Sequence, residues 1–212
     1  MATDINTDAT DRAISSRAKL YRLTARQCQE MARAGIFGDD NHIELLGGLL
    51  VRKMSNNPPR NFTVGELSRL LSALLTPNWI VSEEKSLELA RRWQPEPDIA
   101  ILVGPSRRYE AVYPTAADVG LFVEVSDSSY GQDRGIKWRK YADAGIPAYW
   151  IVNLGKRQVE VYREPGGKGL DAAYGSVEIY GDGAAVPVVI GGQEVGRINV
   201  ADLLPSAPAE GA

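Results

Sequence analysis

Pro97-Asp98-Ile99-Ala100-Ile101-Leu102-Val103 and Leu121-Phe122-Val123-Glu124-Val125 decide how this chain is read. Each is a run of β-branched and aliphatic residues dense enough for a strand covered on both faces, and each carries a carboxylate where a core residue belongs. An ionised carboxylate in such a place is costly unless it is paired or binds a metal. Asp98 and Glu124 together therefore point to a cation site. Along the strands, Asp98, Ala100 and Leu102 share one face, as do Phe122, Glu124 and Ser126, and the smaller or polar neighbours leave room beside the acids. Pro97 fits a strand start, where its missing N–H breaks no ladder bond, so Asp98 is expected near a strand end that meets solvent.

Outward from these runs, Ile43-Glu44-Leu45-Leu46 is another apolar segment carrying an acid. Gly47-Gly48 joins it to residues 49–54 as a hairpin, because glycine accepts the positive φ of tight turns. Thr24-Ala25-Arg26-Gln27 fits a capping box for a helix over 25–34 that ends at Gly35. Phe62, Leu67, Leu70, Leu71, Leu74 and Leu75 recur at helical spacing and predict a helix over 61–75. A strand over 79–89, the Asp98 strand, a long polar connection 104–118, strand 119–126, helix 133–144 and strands 148–153 and 158–163 follow. Weaker strands are expected near 175–180, 185–190 and 195–200. The core order αββαβββαββ describes an α/β (α+β) layered domain.

The 212 residues suffice for one domain with its own core, and 44% hydrophobic with 24% charged residues is ordinary globular composition. Residues 19–204 are read as that domain, residues 1–18 as a disordered N-terminal arm and 205–212 as a flexible tail. A single cysteine, Cys28, rules out an internal disulfide and reads as a small buried hydrophobe. With no signal-peptide pattern and no apolar run long enough to span a bilayer, the expected location is cytoplasmic. Lys plus Arg number 24 against 27 Asp plus Glu, a net charge of −3, so any contact with nucleic acid must rest on a local basic surface. Local clusters occur at Arg91-Arg92, at Arg107-Arg108, and at Arg134, Lys137, Arg139 and Lys140. There is no Walker loop, zinc-type cluster or dinucleotide fingerprint, and His42, the only histidine, gives Ser126 and Ser128 no triad context. Trp138, Tyr149 and Trp150 read as core or interface aromatics.

The ordered set Glu44-Leu45-Leu46-Gly47-Gly48, Pro97-Asp98, Glu124-Val125-Ser126, Asp133-Arg134-Gly135-Ile136-Lys137 and Tyr149-Trp150-Ile151-Val152 resembles the PD-(D/E)XK nuclease superfamily. Within it, the chain is most similar to the Uma-type restriction endonuclease family, over roughly Tyr21 to Tyr162. No single motif is specific; their order and spacing carry the likeness. The resemblance implies a restriction-endonuclease-like core, a central mixed β-sheet flanked by helices. It implies divalent-metal-dependent hydrolysis of phosphodiester bonds, in DNA rather than RNA, with Mg2+ as cofactor and Mn2+ able to substitute. Asp98 and Glu124, with the Val125 carbonyl, would hold the metal; Glu44 would be an auxiliary acid and Lys137 a charge stabiliser.

Two departures from the pattern matter. The superfamily lysine two residues after the second acid is Ser126 here, and Lys137 on the next helix matches the lysine that takes over in the Uma-type family. Asp133 and Lys137, at i,i+4 spacing, also fit a surface ion pair with Asp133 as a cap. Where family members carry His after the double proline, this chain has Arg60-Asn61. A homodimer would suit the cutting of two strands. The alternative is a catalytically idle protein of the same fold that binds nucleic acid or a protein, its acids retained for stability.

Overall fold

The two acid-bearing runs become neighbours in the middle of a sheet. A computed structural model of the chain describes residues 20–38, 42–53 and 57–206. Helix α1 (Ala25–Arg33) starts at the expected capping box, with the Gln27 amide donating to Thr24 Oγ1 and the Thr24 amide donating to Gln27 Oε1. β1 (Ile43–Leu46) and β2 (Leu49–Arg52) pair antiparallel across Gly47-Gly48. Gly48 is required there: its φ is +85°, and an added Cβ would come within 2.6 Å of the Arg22 Cβ. Helix α2 (Pro58–Leu74) has its prolines in the first turn, where a missing N–H costs nothing, behind Asn57, whose side chain accepts from the Arg60 amide.

β3 (Trp79–Glu83), β4 (Ile99–Val103) and β5 (Val119–Ser126) lead to a three-part helical segment. This is α3 (Tyr130–Gln132), a π-helical turn (Asp133–Lys137) and α4 (Trp138–Ala144). β6 (Ala148–Asn153), β7 (Gln158–Gly166), β8 (Ala173–Gly181), the hairpin β9 (Ala185–Ile190) and β10 (Gln193–Asn199), and α5 (Val200–Leu203) complete the chain. The main sheet runs β3-β4-β5-β6-β7-β8. Its β5–β6 pair is parallel and the rest are antiparallel, and the parallel pair is the one joined through the helical segment, as a parallel crossover requires.

Alternation along β5 sorts the core into two layers. Leu121, Val123 and Val125 face one side, with Ile99, Ile101, Trp150 and Val152, under Leu67 and Leu71 of α2 and Val186 and Val188 of β9. Phe122 faces the other, with Ala100, Tyr149, Ile151 and Tyr162, under Tyr141 and Ala142 of α4. Tyr141 meets Phe122 and Tyr149 edge-on at centroid distances of 4.9 and 5.0 Å. Glu124 belongs to this second face, so it points beneath α4.

The expected central mixed sheet flanked by helices is what the chain forms. The strand expected over 79–89 ends at Glu83, because Glu84 takes a left-handed φ of 46° and its partner strand is preceded by Pro97, which has no N–H to offer. Asp98 accordingly lies one residue before β4 rather than within it. The helix expected from residue 61 begins at Pro58, and the short helix α5 was not anticipated. Cys28 is buried, as expected. The expected arm 1–18, Met54 at the end of the hairpin, and residues 207–212 of the expected tail lie outside the described residues.

Candidate active site

Glu44, Asp98, Glu124 and Lys137 line one open-mouthed cleft of about 490 Å³, counting the solvent within it. They reach it from four places: β1, the approach to β4, β5 and the π-helical turn. All four are buried, between 1% and 3% exposed. The Lys137 ammonium lies 2.9 Å from Glu44 Oε1, 3.0 Å from Glu124 Oε1 and 3.9 Å from Asp133 Oδ1. Tyr141 donates its hydroxyl to the same Glu124 oxygen at 2.9 Å. Glu44 Oε1 also accepts the Glu96 amide at 2.9 Å, which ties the β1–β2 hairpin to the segment leading into β4.

Asp133 is not a surface residue. Ser126 and Ser129 both donate to its Oδ2 at 2.6 Å, and its carbonyl accepts the Tyr149 hydroxyl at 3.1 Å. Ser126, at the position of the superfamily lysine, thus anchors the turn that brings Lys137 in. The exposed Asp133–Lys137 pair that the spacing also allowed is replaced by a buried arrangement in the cleft floor.

Asp98 has a different set of partners. Its Oδ1 meets the Lys53 ammonium at 2.6 Å and, closer still, the Arg60 guanidinium; its Oδ2 accepts the Val125 amide at 2.7 Å. Half-buried Glu84 stands behind, 2.8 Å from Arg60 and 3.6 Å from Lys53. Lys53 also donates to the Glu96 carbonyl at 2.9 Å. Lys53 and Arg60 were not singled out from the sequence as site residues. Arg60 did leave a signal: a cation in the first turn of a helix opposes the helix dipole and calls for a nearby acid. Lys53, following Arg52 where the hairpin ends, left none.

The charges do not balance. The cleft is lined by five carboxylates, Glu44, Asp98, Glu124, Asp127 and Asp133, against four cations, Arg52, Lys53, Arg60 and Lys137, and Glu84 pairs with Arg60 and Lys53 from beside it. Fully ionised, the lining carries one negative charge in excess. Burial pushes Glu124 up to about 8, with repulsion from Asp98, Asp133 and Glu44 adding to it despite Lys137. Burial also raises Asp133. Burial opposes the charge on Lys137, but Glu124, Glu44, Asp133 and Asp98 outweigh it and raise its pKa. Burial likewise works against ionised Asp98, yet Lys53 and Arg60 hold it below the usual carboxylate range.

The donor set fits a hard divalent cation. Magnesium takes oxygen ligands, keeps several waters and needs only one or two carboxylates, and Asp98 and Glu124 both line the cleft. Glu124 and Glu44 each use a single oxygen, Oε1, for their contacts with described residues, leaving Oε2 for a further partner. Among the described residues no group of three or more acidic, His or Cys side chains is arranged as a ready metal cage. The physical reason is plain: ammonium and guanidinium groups stand where such acids would otherwise converge. His42 is half-buried and does not line the cleft, nor do Arg91-Arg92 or Arg107-Arg108, whose side chains are exposed.

The model of a family described as "Putative restriction endonuclease" matches residues 26–200. The chain belongs to this Uma2 family. The match reaches past the strands expected from motifs alone and takes in β8, β9 and β10. A crystal structure of "a putative nuclease belonging to DUF820" from Anabaena variabilis ATCC 29413 shares the Uma2 chain's fold, with a TM-score of 0.61 and 16% sequence identity. The likeness covers 76% of this chain and 88% of that one. No curated protein matches. Among the described residues no helix is long and apolar enough to cross a membrane.

Proposed function

We propose that this chain is a divalent-metal-dependent endonuclease that hydrolyses phosphodiester bonds in DNA, with magnesium as the metal and manganese able to replace it. The observation that carries this reading is the convergence of Glu44, Asp98, Glu124 and Lys137 on one cleft whose lining holds more carboxylates than cations. Asp98 and Glu124, with the Val125 carbonyl, would hold the metal, which supplies polarisation of a phosphoryl oxygen and a lower pKa for bound water. Lys137, ringed by carboxylates, keeps its proton and acts as a fixed positive charge for the phosphate oxygens as negative charge builds on them. Glu44 and Tyr141 hold that ammonium and Glu124 in place. Two copies of the chain would address the two strands of a duplex, and a reducing cytoplasm suits the lone thiol of Cys28.

A second reading is an idle binding protein of the same fold. It is favoured by one observation: Lys53, Arg60 and Lys137 pair with Asp98, Glu124 and Glu44 as structural ions do. Nicking of supercoiled plasmid separates the two. Wild type is expected to nick only with magnesium or manganese, and Asp98→Asn, Glu124→Gln and Lys137→Ala, each checked for folding, are expected to lose at least about a hundredfold in rate. Equal nicking by all four proteins would reveal a contaminant. No nicking by wild type on any nucleic acid would leave the binding reading in possession.

A further inference from the structure

Lys53 and Arg60 have no part in the reading above beyond holding Asp98, yet they are the best-placed cations in the cleft. Both line it, and their side chains are only 8% and 9% exposed. They arrive from different elements, Lys53 from the end of β2 and Arg60 from the first turn of α2, and converge on one oxygen of Asp98. The Lys53 ammonium has three neighbours, Asp98, Glu84 and the Glu96 carbonyl, as many as it has protons to donate. A divalent cation that took over Asp98 Oδ1 would leave two buried positive charges beside it and deprive both of their shared acceptor. Glu84 and, for Lys53, the Glu96 carbonyl would stay, but the contact nearest to both cations would be gone. An anion entering with the metal would give both cations a new acceptor, and the anion that a nuclease substrate brings is its phosphodiester.

Resting on the nuclease reading, we infer that Lys53 and Arg60 are phosphate-binding residues: they hold Asp98 while the metal is absent and pass to the substrate phosphate when a cation takes Asp98 over. Metal and duplex then bind cooperatively, since the metal takes the acceptor that Lys53 and Arg60 share and the phosphate replaces it. The fork of Arg60 suits two phosphate oxygens, and the ammonium of Lys53 a third contact.

The test is the affinity of a fluorescent DNA duplex over a range of salt concentrations, with calcium or with chelator. Calcium serves as the oxygen-seeking cation. Wild type is expected to bind about tenfold more tightly with calcium. Lys53→Gln and Arg60→Gln are expected to lose about tenfold in calcium and to lower the salt slope by about 1 each. Their thermal shift with calcium alone should be kept or enlarged, because one competing cation has gone. Should the glutamine variants fail to fold, Arg60→Lys keeps the charge beside Asp98 and removes only the fork. It is expected to lose several-fold in affinity at an unchanged slope. Wild-type affinity and slope in the folded variants, alongside metal-dependent cutting by wild type, would overturn the assignment and leave the nuclease reading standing. Failure of wild type to bind duplex in either condition would overturn both.

Discussion

Glu124 is the side chain on which the charge balance of the cleft turns. Its folded pKa of about 8 stands above the ordinary 4.5, so the folded, metal-free protein holds this proton more tightly than the unfolded chain does. The resulting stability is fully present below the unfolded value and is lost as pH rises through the folded one. In chelator, the urea midpoint of wild type is therefore expected to fall between about pH 5 and pH 8.5, and Glu124→Gln should lack that part of the slope. Parallel pH profiles would mean that Glu124 is ionised throughout. At this scale the acids were legible from sequence because each interrupts an apolar run: Glu44 between Ile43 and Leu45, Glu124 between Val123 and Val125. Lys137 was legible only through the spacing of a family pattern. Lys53 was not read, since a lysine closing a hairpin offends no apolar context, and the one signal of Arg60, a cation in a first helical turn, went unread because the prolines hid the start of that helix. Tyr141 and Asp133 served as landmarks, and their roles as partners of Glu124 and Ser126 depend on contacts between separate elements that spacing does not encode.

Elements position these side chains, and α2 shows how. Asn57 caps the helix by accepting from the Arg60 amide at 3.0 Å and reaches across to Asp127 at 2.8 Å, joining the start of α2 to the loop after β5. Asn57→Ala is expected to cost about 0.5–2 kcal/mol in a urea titration. If the cap also positions Arg60, duplex affinity should fall in the same variant, and an unchanged midpoint would show that water replaces the cap without loss. The helix itself was legible from Leu67, Leu71 and their companions, but its true start was hidden behind prolines that read as a break. The π-helical turn was invisible for a different reason. Asp133, Lys137 and Tyr141 are spaced by four residues, as in a regular helix, and the bond from the Trp138 amide to the Asp133 carbonyl that widens the turn has no counterpart in hydrophobic periodicity. The overlong strand at 79–89 failed at Glu84, where left-handed backbone stops the ladder although apolar Leu87 and Leu89 continue the pattern.

For the whole molecule, the excess charge of the cleft becomes a property of stability. A cation that binds only the folded state adds about 2.7 kcal/mol at a hundredfold excess over its dissociation constant. Magnesium or manganese is therefore expected to raise the melting temperature of wild type in scanning calorimetry, and Glu124→Gln to remove most of the rise. A melting temperature indifferent to both metals would count against Asp98 and Glu124 as ligands. The layered sheet was legible at this scale because β4 and β5, two of its four inner strands, are apolar on both faces. The arrangement of those faces reaches beyond the cleft. β5 keeps Leu121, Val123 and Val125 in one layer and Glu124 in the other. A slip of one residue against β4 and β6 would turn Glu124 into the dry aliphatic layer, away from Lys137 and Tyr141. That misaligned sheet would have to bury a carboxylate without its cation, while the aligned one meets the ammonium waiting under α4. The acid proposed to hold a metal is thus also the mark by which the assembling strands tell their correct alignment from its nearest competitor.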